Sequence, residues 1–184
     1  MDKEEPVAVD IRQMTVKVRY GQIYLADEQL DGDVSGDSED SPTASAGVIR
    51  VTPGLATLSI GVDWGEVPIT VAVAGRDPRA ELEGYEDVVE ITFESPSGRI
   101  VLLEWDWDEP KTYGLPPLPA GPGPYRMRFH ITGLDDHAGA LDHYLQIWPE
   151  PSREPAVLKT TSRNFRYFLN PEAFNPDDYA SGGV

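Results

Sequence analysis

Cysteine is absent from all 184 residues, which removes disulfides, thiolate metal sites and a cysteine nucleophile. Basic residues are scarce, 15 Lys and Arg against 32 Asp and Glu, so the chain carries a formal charge of -17. A field of that sign repels phosphate backbones and anionic lipid, which argues against direct binding of nucleic acid or membrane. No apolar run approaches the roughly 18 residues of a spanning helix. The segment Met1-Asp2-Lys3-Glu4-Glu5-Pro6 has neither the basic nor the apolar part of a secretory signal, so the expected compartment is the cytoplasm. Gly-x-Ser-x-Gly does not occur, and Gly121-Pro122-Gly123-Pro124 has prolines where a phosphate loop needs N–H donors. With 32 carboxylates, no pair stands out as an acid and a base. The chain is read as a non-enzyme without a cofactor.

What is plentiful points to β structure. The chain holds 17 Gly and 17 Pro, a composition of many turns and few long helices, while 40% hydrophobic residues suffice for a core. Tyr125, Met127, Phe129 and Ile131 alternate with Arg126, Arg128, His130 and Thr132, the period of a half-buried strand. Tyr125 follows the turn Leu118–Pro124 in the manner of a tyrosine corner, whose hydroxyl ties a β-sandwich corner to nearby backbone. In an acidic chain, Arg126, Arg128 and His130 are expected to face outward and pair with Glu90 and Glu94 on a neighbouring strand.

Besides 125–132, strands are expected over 14–20, broken or bulged at Gly21 and continued over 22–25, and over 48–52, 57–62, 69–73, 87–94, 99–104 and 143–148. Asp63-Trp64-Gly65-Glu66 reads as a hairpin turn between 57–62 and 69–73, and Ser95-Pro96-Ser97-Gly98 as the turn that ends 87–94. A short helix fits 76–85, cut by Pro78 and Gly84, and a short aromatic strand fits 164–169. These elements predict an all-β fold, a two-sheet antiparallel β-sandwich of eight or nine strands. It would run over residues 14–169, behind a polar arm (1–13), with a mobile acidic loop at 26–47 and an irregular tail at 170–184.

Three constellations could carry function. Asp31-Gly32-Asp33-Val34-Ser35-Gly36-Asp37 copies the front half of a calcium loop, but Pro42 stands where the bidentate carboxylate belongs, so a solvated acidic loop is expected. His130, His137 and His143 fall in no compact zinc spacing. The run Glu104-Trp105-Asp106-Trp107-Asp108-Glu109 puts two indoles on one face of an extended chain and two carboxylates on the other. Both indoles could cap the core, or the patch could meet a basic protein or stack on a sugar ring. The partner-facing set is therefore Trp105, Asp106, Trp107, Asp108 and Glu109, with Asp31, Asp33 and Asp37 of the acidic loop.

Four stretches carry a resemblance: Val18-Arg19-Tyr20-Gly21-Gln22-Ile23, Asp87-Val88-Val89-Glu90-Ile91, Leu118-Pro119 to Tyr125-Arg126-Met127-Arg128, and Tyr144-Leu145-Gln146-Ile147-Trp148-Pro149. Over residues 14–149 the chain resembles the competence nuclease inhibitor type of small acidic β-sandwich, and acidic proteins of high-GC bacteria. The resemblance implies a protein that binds a nuclease and blocks it, and it assigns no individual inhibitory residue. Together with the charge, it leads to an acidic binding protein that docks on and inhibits a basic partner, a nuclease or toxin. The alternatives are a carbohydrate- or small-ligand-binding module and a structural subunit. The oligomeric state is left open.

Overall fold

The structure is a computed structural model, and it describes residues 7–30, 44–104, 111–135, 141–170 and 172. It is almost wholly β: β1 (Val9–Arg19), β2 (Gln22–Asp27), β3 (Ala44–Ser45), β4 (Ile49–Thr52), β5 (Leu55–Ser59), β6 (Trp64–Ala74), β7 (Asp87–Ser95), β8 (Ile100–Leu103), β9 (Thr112–Gly114), β10 (Gly123–Thr132), β11 (Asp142–Pro149) and β12 (Ala156–Lys159), closed by a one-turn helix α1 (Phe165–Leu169). Among the described residues no helix is long and apolar enough to cross a membrane.

The strands form one hydrogen-bonded path, β12-β7-β10-β11-β6-β1-β2-β5-β4-β3, with β8 beside β2 and β9 beside β8. Only one register pair, Arg19 with Gln22, carries the path from β1 to β2. A half built on β10 therefore meets a half built on β2 at a single corner. The path curls, so that β4 and β7 approach each other and the Gly54 N–H reaches the Glu94 carbonyl at 3.0 Å. One core fills the curl, with Val16, Ile23, Leu25, Leu58 and Val71 meeting Ile91, Phe93, Phe129 and Ile147. Burying such side chains stabilises by about 1.5–3 kcal/mol each.

The all-β expectation holds, with two differences in topology. Among the described residues twelve strands in one connected sheet stand in place of eight or nine in two, the additions being short pieces such as β3 and β9 that have too few residues to show a period. One pair, β6 with β11, is parallel: Tyr144 aligns with Thr70 and Ile147 with Val73.

Other segments depart from the sequence expectation. The proposed hairpin at Asp63–Glu66 does not form, because β5 pairs with β2 and β4 while β6 pairs with β1 and β11. The chain crosses past the β1–β2 turn instead, with Gly21 bonded to Ile60 and Asp63 backbone. Tyr20 and Gly21 do not continue a strand; both adopt positive φ (56° and 67°) and reverse the chain, as a two-residue I′ turn requires. Strand β1 begins at Val9, inside the stretch expected as an arm, and residues 9–13 are exposed on both faces, which is why no apolar alternation marks them. At the other acidic segment, Asp27 belongs to β2 and is buried; residues 31–43 lie outside those described.

Residues 76–85 form no helix. Arg79 sits at φ 68°, and the segment's backbone is spent on side chains across it: the Glu81 N–H donates to His130 Nε2 at 3.2 Å, the Arg79 carbonyl accepts from Gln146 Nε2 at 3.0 Å, and the Leu82 carbonyl accepts from Lys159 Nζ at 2.6 Å. The stretch is a strap laid over the outer face of β10 and β11. Residues 165–169 form α1 rather than an aromatic strand. Phe165 plugs the core, and Asp135 accepts from the Arg163 and Asn164 N–H groups just before the helix.

Candidate functional site

The corner before β10 is tied as expected. Tyr125 is fully buried, and its hydroxyl donates to the Gly121 carbonyl at 2.7 Å and accepts from the Ala120 N–H at 3.0 Å. The polar face of β10 is a different matter. Arg126, Arg128 and His130 do not face solvent; they are 1%, 4% and 0% exposed, roofed by the strap and by residues 149–155.

Beneath that roof is a polar network centred on Glu90. Its carboxylate accepts from Arg126 Nε at 3.1 Å, Arg128 Nε at 2.7 Å and Arg153 Nη2 at 3.0 Å. Asp77 on the strap takes Arg128 through two N–H groups at 3.0 and 3.2 Å, and this arginine and the backbone hydrogen bond from Arg79 outweigh the upward pull of burial, holding its carboxyl below the usual range. Glu150 holds Arg153 at 3.0 Å and accepts from Trp148 Nε1 at 2.7 Å, while the Arg128 guanidinium lies 4.5 Å from the centre of the Trp148 ring. Three arginines thus meet three carboxylates, the condition for burying charge. The expected pairing with Glu90 forms because the register sets it opposite Arg128; Glu94 falls opposite Pro124 and pairs with no arginine.

The two described histidines do not converge. Ile131 aligns with His143, so His143 points to the core face and stacks on Phe129 at 6.2 Å, while His130 points to the strap. His130 has both ring nitrogens engaged, Nδ1 donating to the Tyr144 carbonyl at 3.0 Å and Nε2 accepting from Glu81, and burial lowers its pKa to about 4. His143 bonds the Pro68 carbonyl through Nδ1 at 3.0 Å, its Nε2 has no partner among the described residues, and burial lowers its pKa as well. His137 lies outside the described residues. Among the described residues no group of three His, Asp or Glu could hold a metal ion.

Every partner-facing residue singled out from the sequence lies outside the described residues as well: Trp105, Asp106, Trp107, Asp108, Glu109, Asp31, Asp33 and Asp37. What the structure does show are their flanks. Glu104 is buried, accepts from the Lys17 N–H at 2.9 Å and is hydrogen-bonded to the Tyr113 hydroxyl. Asp27 ties β2 to the turn after β7, accepting from Ser95 Oγ at 2.5 Å and the Ser97 N–H at 3.0 Å. Burial works to raise its pKa, but these bonds outweigh it and the net shift is downward.

A feature that the sequence reading passed over stands at the tip of the β1–β2 turn. Tyr20 and Trp64 are 57% and 58% exposed, packed edge to face at 5.0 Å, with the Arg19 guanidinium 5.8 Å from the indole centre. Asp63, Gly65 and Glu66 beside Trp64 are exposed too. The signal was present: Asp63-Trp64-Gly65-Glu66 is an indole set among carboxylates, the same grammar as residues 104–109. Tyrosine at the first place of an I′ turn, where Asn or Gly is the usual residue, is the second sign. An exposed, mutually packed aromatic pair within an acidic surface can dock on a protein surface by burying two large rings beside charge.

No family profile and no curated protein sequence matches the chain. Two solved structures share its fold. One is ComJ of Bacillus subtilis, an inhibitor of the DNA-degrading activity of NucA, with a TM-score of 0.57 and 13% identity over 78% of this chain and 98% of ComJ. The other is the crocagin biosynthetic gene J product, with a TM-score of 0.50 and 16% identity over 78% of this chain and 99% of that one. The chain is thus structurally similar to a competence nuclease inhibitor across nearly all of that inhibitor's length.

Proposed function

We propose that this chain is a non-catalytic acidic binding protein that docks on a basic partner, a nuclease or a toxin, and blocks it. The observation that carries the reading is the fold shared with ComJ over 98% of that inhibitor. The charge of -17 supports it, because a field of that size speeds encounter with the cationic cleft a nuclease uses for DNA. The exposed rings of Tyr20 and Trp64 suit the second stage, in which desolvated aromatics set the lifetime of the complex. The proposed partner-facing surface joins these rings to Trp105, Asp106, Trp107, Asp108 and Glu109, and to Asp31, Asp33 and Asp37.

The test is plasmid cleavage by NucA and by purified cationic DNases, with this chain titrated in. Inhibition should saturate near equimolar chain, and the association rate should fall at least tenfold as salt rises from about 0.05 to about 0.5 M. Trp64→Ala should weaken binding by about tenfold or more, the size of a hot-spot loss. Undiminished cleavage by every nuclease tried, or an association rate indifferent to salt, would overturn the reading.

A further inference from the structure

Strand β1 has an edge that the fold leaves half finished. Its full length, Val9 to Arg19, pairs with β6 without a bulge. On the other side, among the described residues, the strand it pairs with is β2, at Arg19 with Gln22. In an antiparallel ladder the N–H and C=O of alternate residues point to opposite sides. Two contacts show which residues point away from β6: the Lys17 N–H donates to Glu104 Oε1 at 2.9 Å, and the Thr15 carbonyl accepts from the Tyr113 hydroxyl at 3.2 Å. By the same alternation Val9, Ile11 and Gln13 turn their backbone groups outward. Glu104 and Tyr113 therefore stopper the edge at Thr15–Lys17. Among the described residues no strand covers it from Val9 to Gln13, and the Ile11 carbonyl meets only the Arg12 guanidinium, at 3.3 Å.

Residues 9–13 are all exposed, and Ile11 is 51% exposed. Open strand edges are ordinarily blunted by bulges, prolines or inward charge. Between Val9 and Gln13 this one carries no bulge and no proline. Its two charged side chains, Asp10 and Arg12, share one face, are opposite in sign and lie 4.0 Å apart, whereas a blunting device stands four residues further along. An edge treated so unequally is built to receive a strand.

We propose that the Val9–Gln13 edge pairs with the same edge of a second copy of this chain, in antiparallel register about a two-fold axis at Ile11. The charges select both the occupant and the register. Outward-pointing residues must meet outward-pointing residues, so registers step by two. Centring on Ile11 sets Asp10 opposite Arg12 of the other copy, twice, with Ile11 against Ile11 and Val9 against Gln13. Moving the axis one way sets Asp10 against Asp10; moving it the other way sets Arg12 against Arg12. Like charges directly opposite destabilise a strand pair and opposite charges stabilise it, so only the first register is self-complementary. An isologous contact of this kind closes on itself and stops at two copies. It extends the β10 half of one molecule into that of the other, with Val9 and Ile11 on the outer face. Five residues a side is a small contact, so exchange between monomer and dimer is expected at about 10–100 µM chain. About 0.15 M salt is needed to screen the mutual repulsion of two -17 molecules.

Sedimentation velocity of the full-length chain from about 1 to about 300 µM, at about 0.15 M salt, tests this. The wild-type chain should shift reversibly to dimer. Arg12→Asp, an exposed change that β6 does not depend on, should sediment as monomer throughout, because four acidic residues then meet at the axis. Asp10→Arg with Arg12→Asp should restore the dimer by exchanging the two halves of each pair. Ile11→Pro removes an outward N–H that the β6 ladder does not use, and should also give monomer, with an unchanged far-UV circular dichroism spectrum as the folding control. A wild-type chain that stays monomeric to the top of the range overturns the proposal. So does a dimer that survives Arg12→Asp, or a double exchange that fails to restore it.

Discussion

Glu90 accepts from three guanidinium groups while almost out of contact with water, so the residue scale is where this fold is most exposed to single changes. Removing one member of a buried ion network leaves the others as uncompensated charge, and the cost of that exceeds the net worth of the pair. Glu90→Gln keeps the shape and deletes the charge. It should lower unfolding free energy by about 3 kcal/mol or more in urea titration; a loss below about 1 kcal/mol would mean that Arg126 and Arg128 find water. His130 gives the second residue-level prediction. Its folded pKa of about 4 is below the ordinary 6.5, because burial penalises the cation and Arg128 adds to it, against the Tyr144 carbonyl and the charges of Glu81 and Glu90. The unfolded chain therefore binds the proton first as pH falls. The stability His130 contributes is complete above about pH 6.5 and declines toward pH 4, with a slope of up to about 1.4 kcal/mol per unit. His143, also shifted down, adds slope of the same sign. Urea midpoints between about pH 7 and 5.5, above the main carboxylate range, should fall with pH, and His130→Gln should flatten that fall. An equal slope in wild type and variant would rule out His130 as its source.

Among the elements, turns were easier to read than pairings. Ser95-Pro96-Ser97-Gly98 was expected as a turn and is one, and the structure shows why its last residue must be glycine. Gly98 has φ 74°, and a Cβ there would come within 2.5 Å of the Gly121 carbonyl carbon, since the turn stacks on the one before β10. Gly98→Ala should cost about 2 kcal/mol or more from the left-handed backbone and the clash combined. A thermal midpoint within about 2 °C of wild type would contradict that contact. The period of β10, β7 and β11 was legible because each strand has one face in the core. Strand β12 was not, since Val157 and Leu158 are both exposed. Nor was the strap, whose shape depends on partners 49 to 77 residues away. The candidate docking tip was half legible: Trp64 among carboxylates was visible, but as a turn between strands that in fact never pair.

On the scale of the whole molecule, the charge of -17 acts in two directions. It pulls a cationic partner in, and salt weakens that attraction. It also strains the folded chain by self-repulsion, which salt relieves, while the Glu90 network is too buried to be screened. Raising salt from about 0.05 to about 0.5 M should therefore raise the urea midpoint and slow partner association at the same time. A midpoint that falls with salt would show that exposed pairs such as Glu28 with Arg99 outweigh the repulsion.

The sequence by itself determined the class: an acidic, cysteine-free, glycine- and proline-rich chain whose apolar residues recur every second place can build little except sheet, and the Tyr125 corner and the turn at 95–98 follow from local chemistry. Only tertiary structure decided which strands are neighbours, including the parallel seating of β11 on β6, and turned the charged face of β10 from a surface into a buried network. Register and burial depend on contacts far apart in the chain. A period of two shows which side chains share a face, but not what will lie across it.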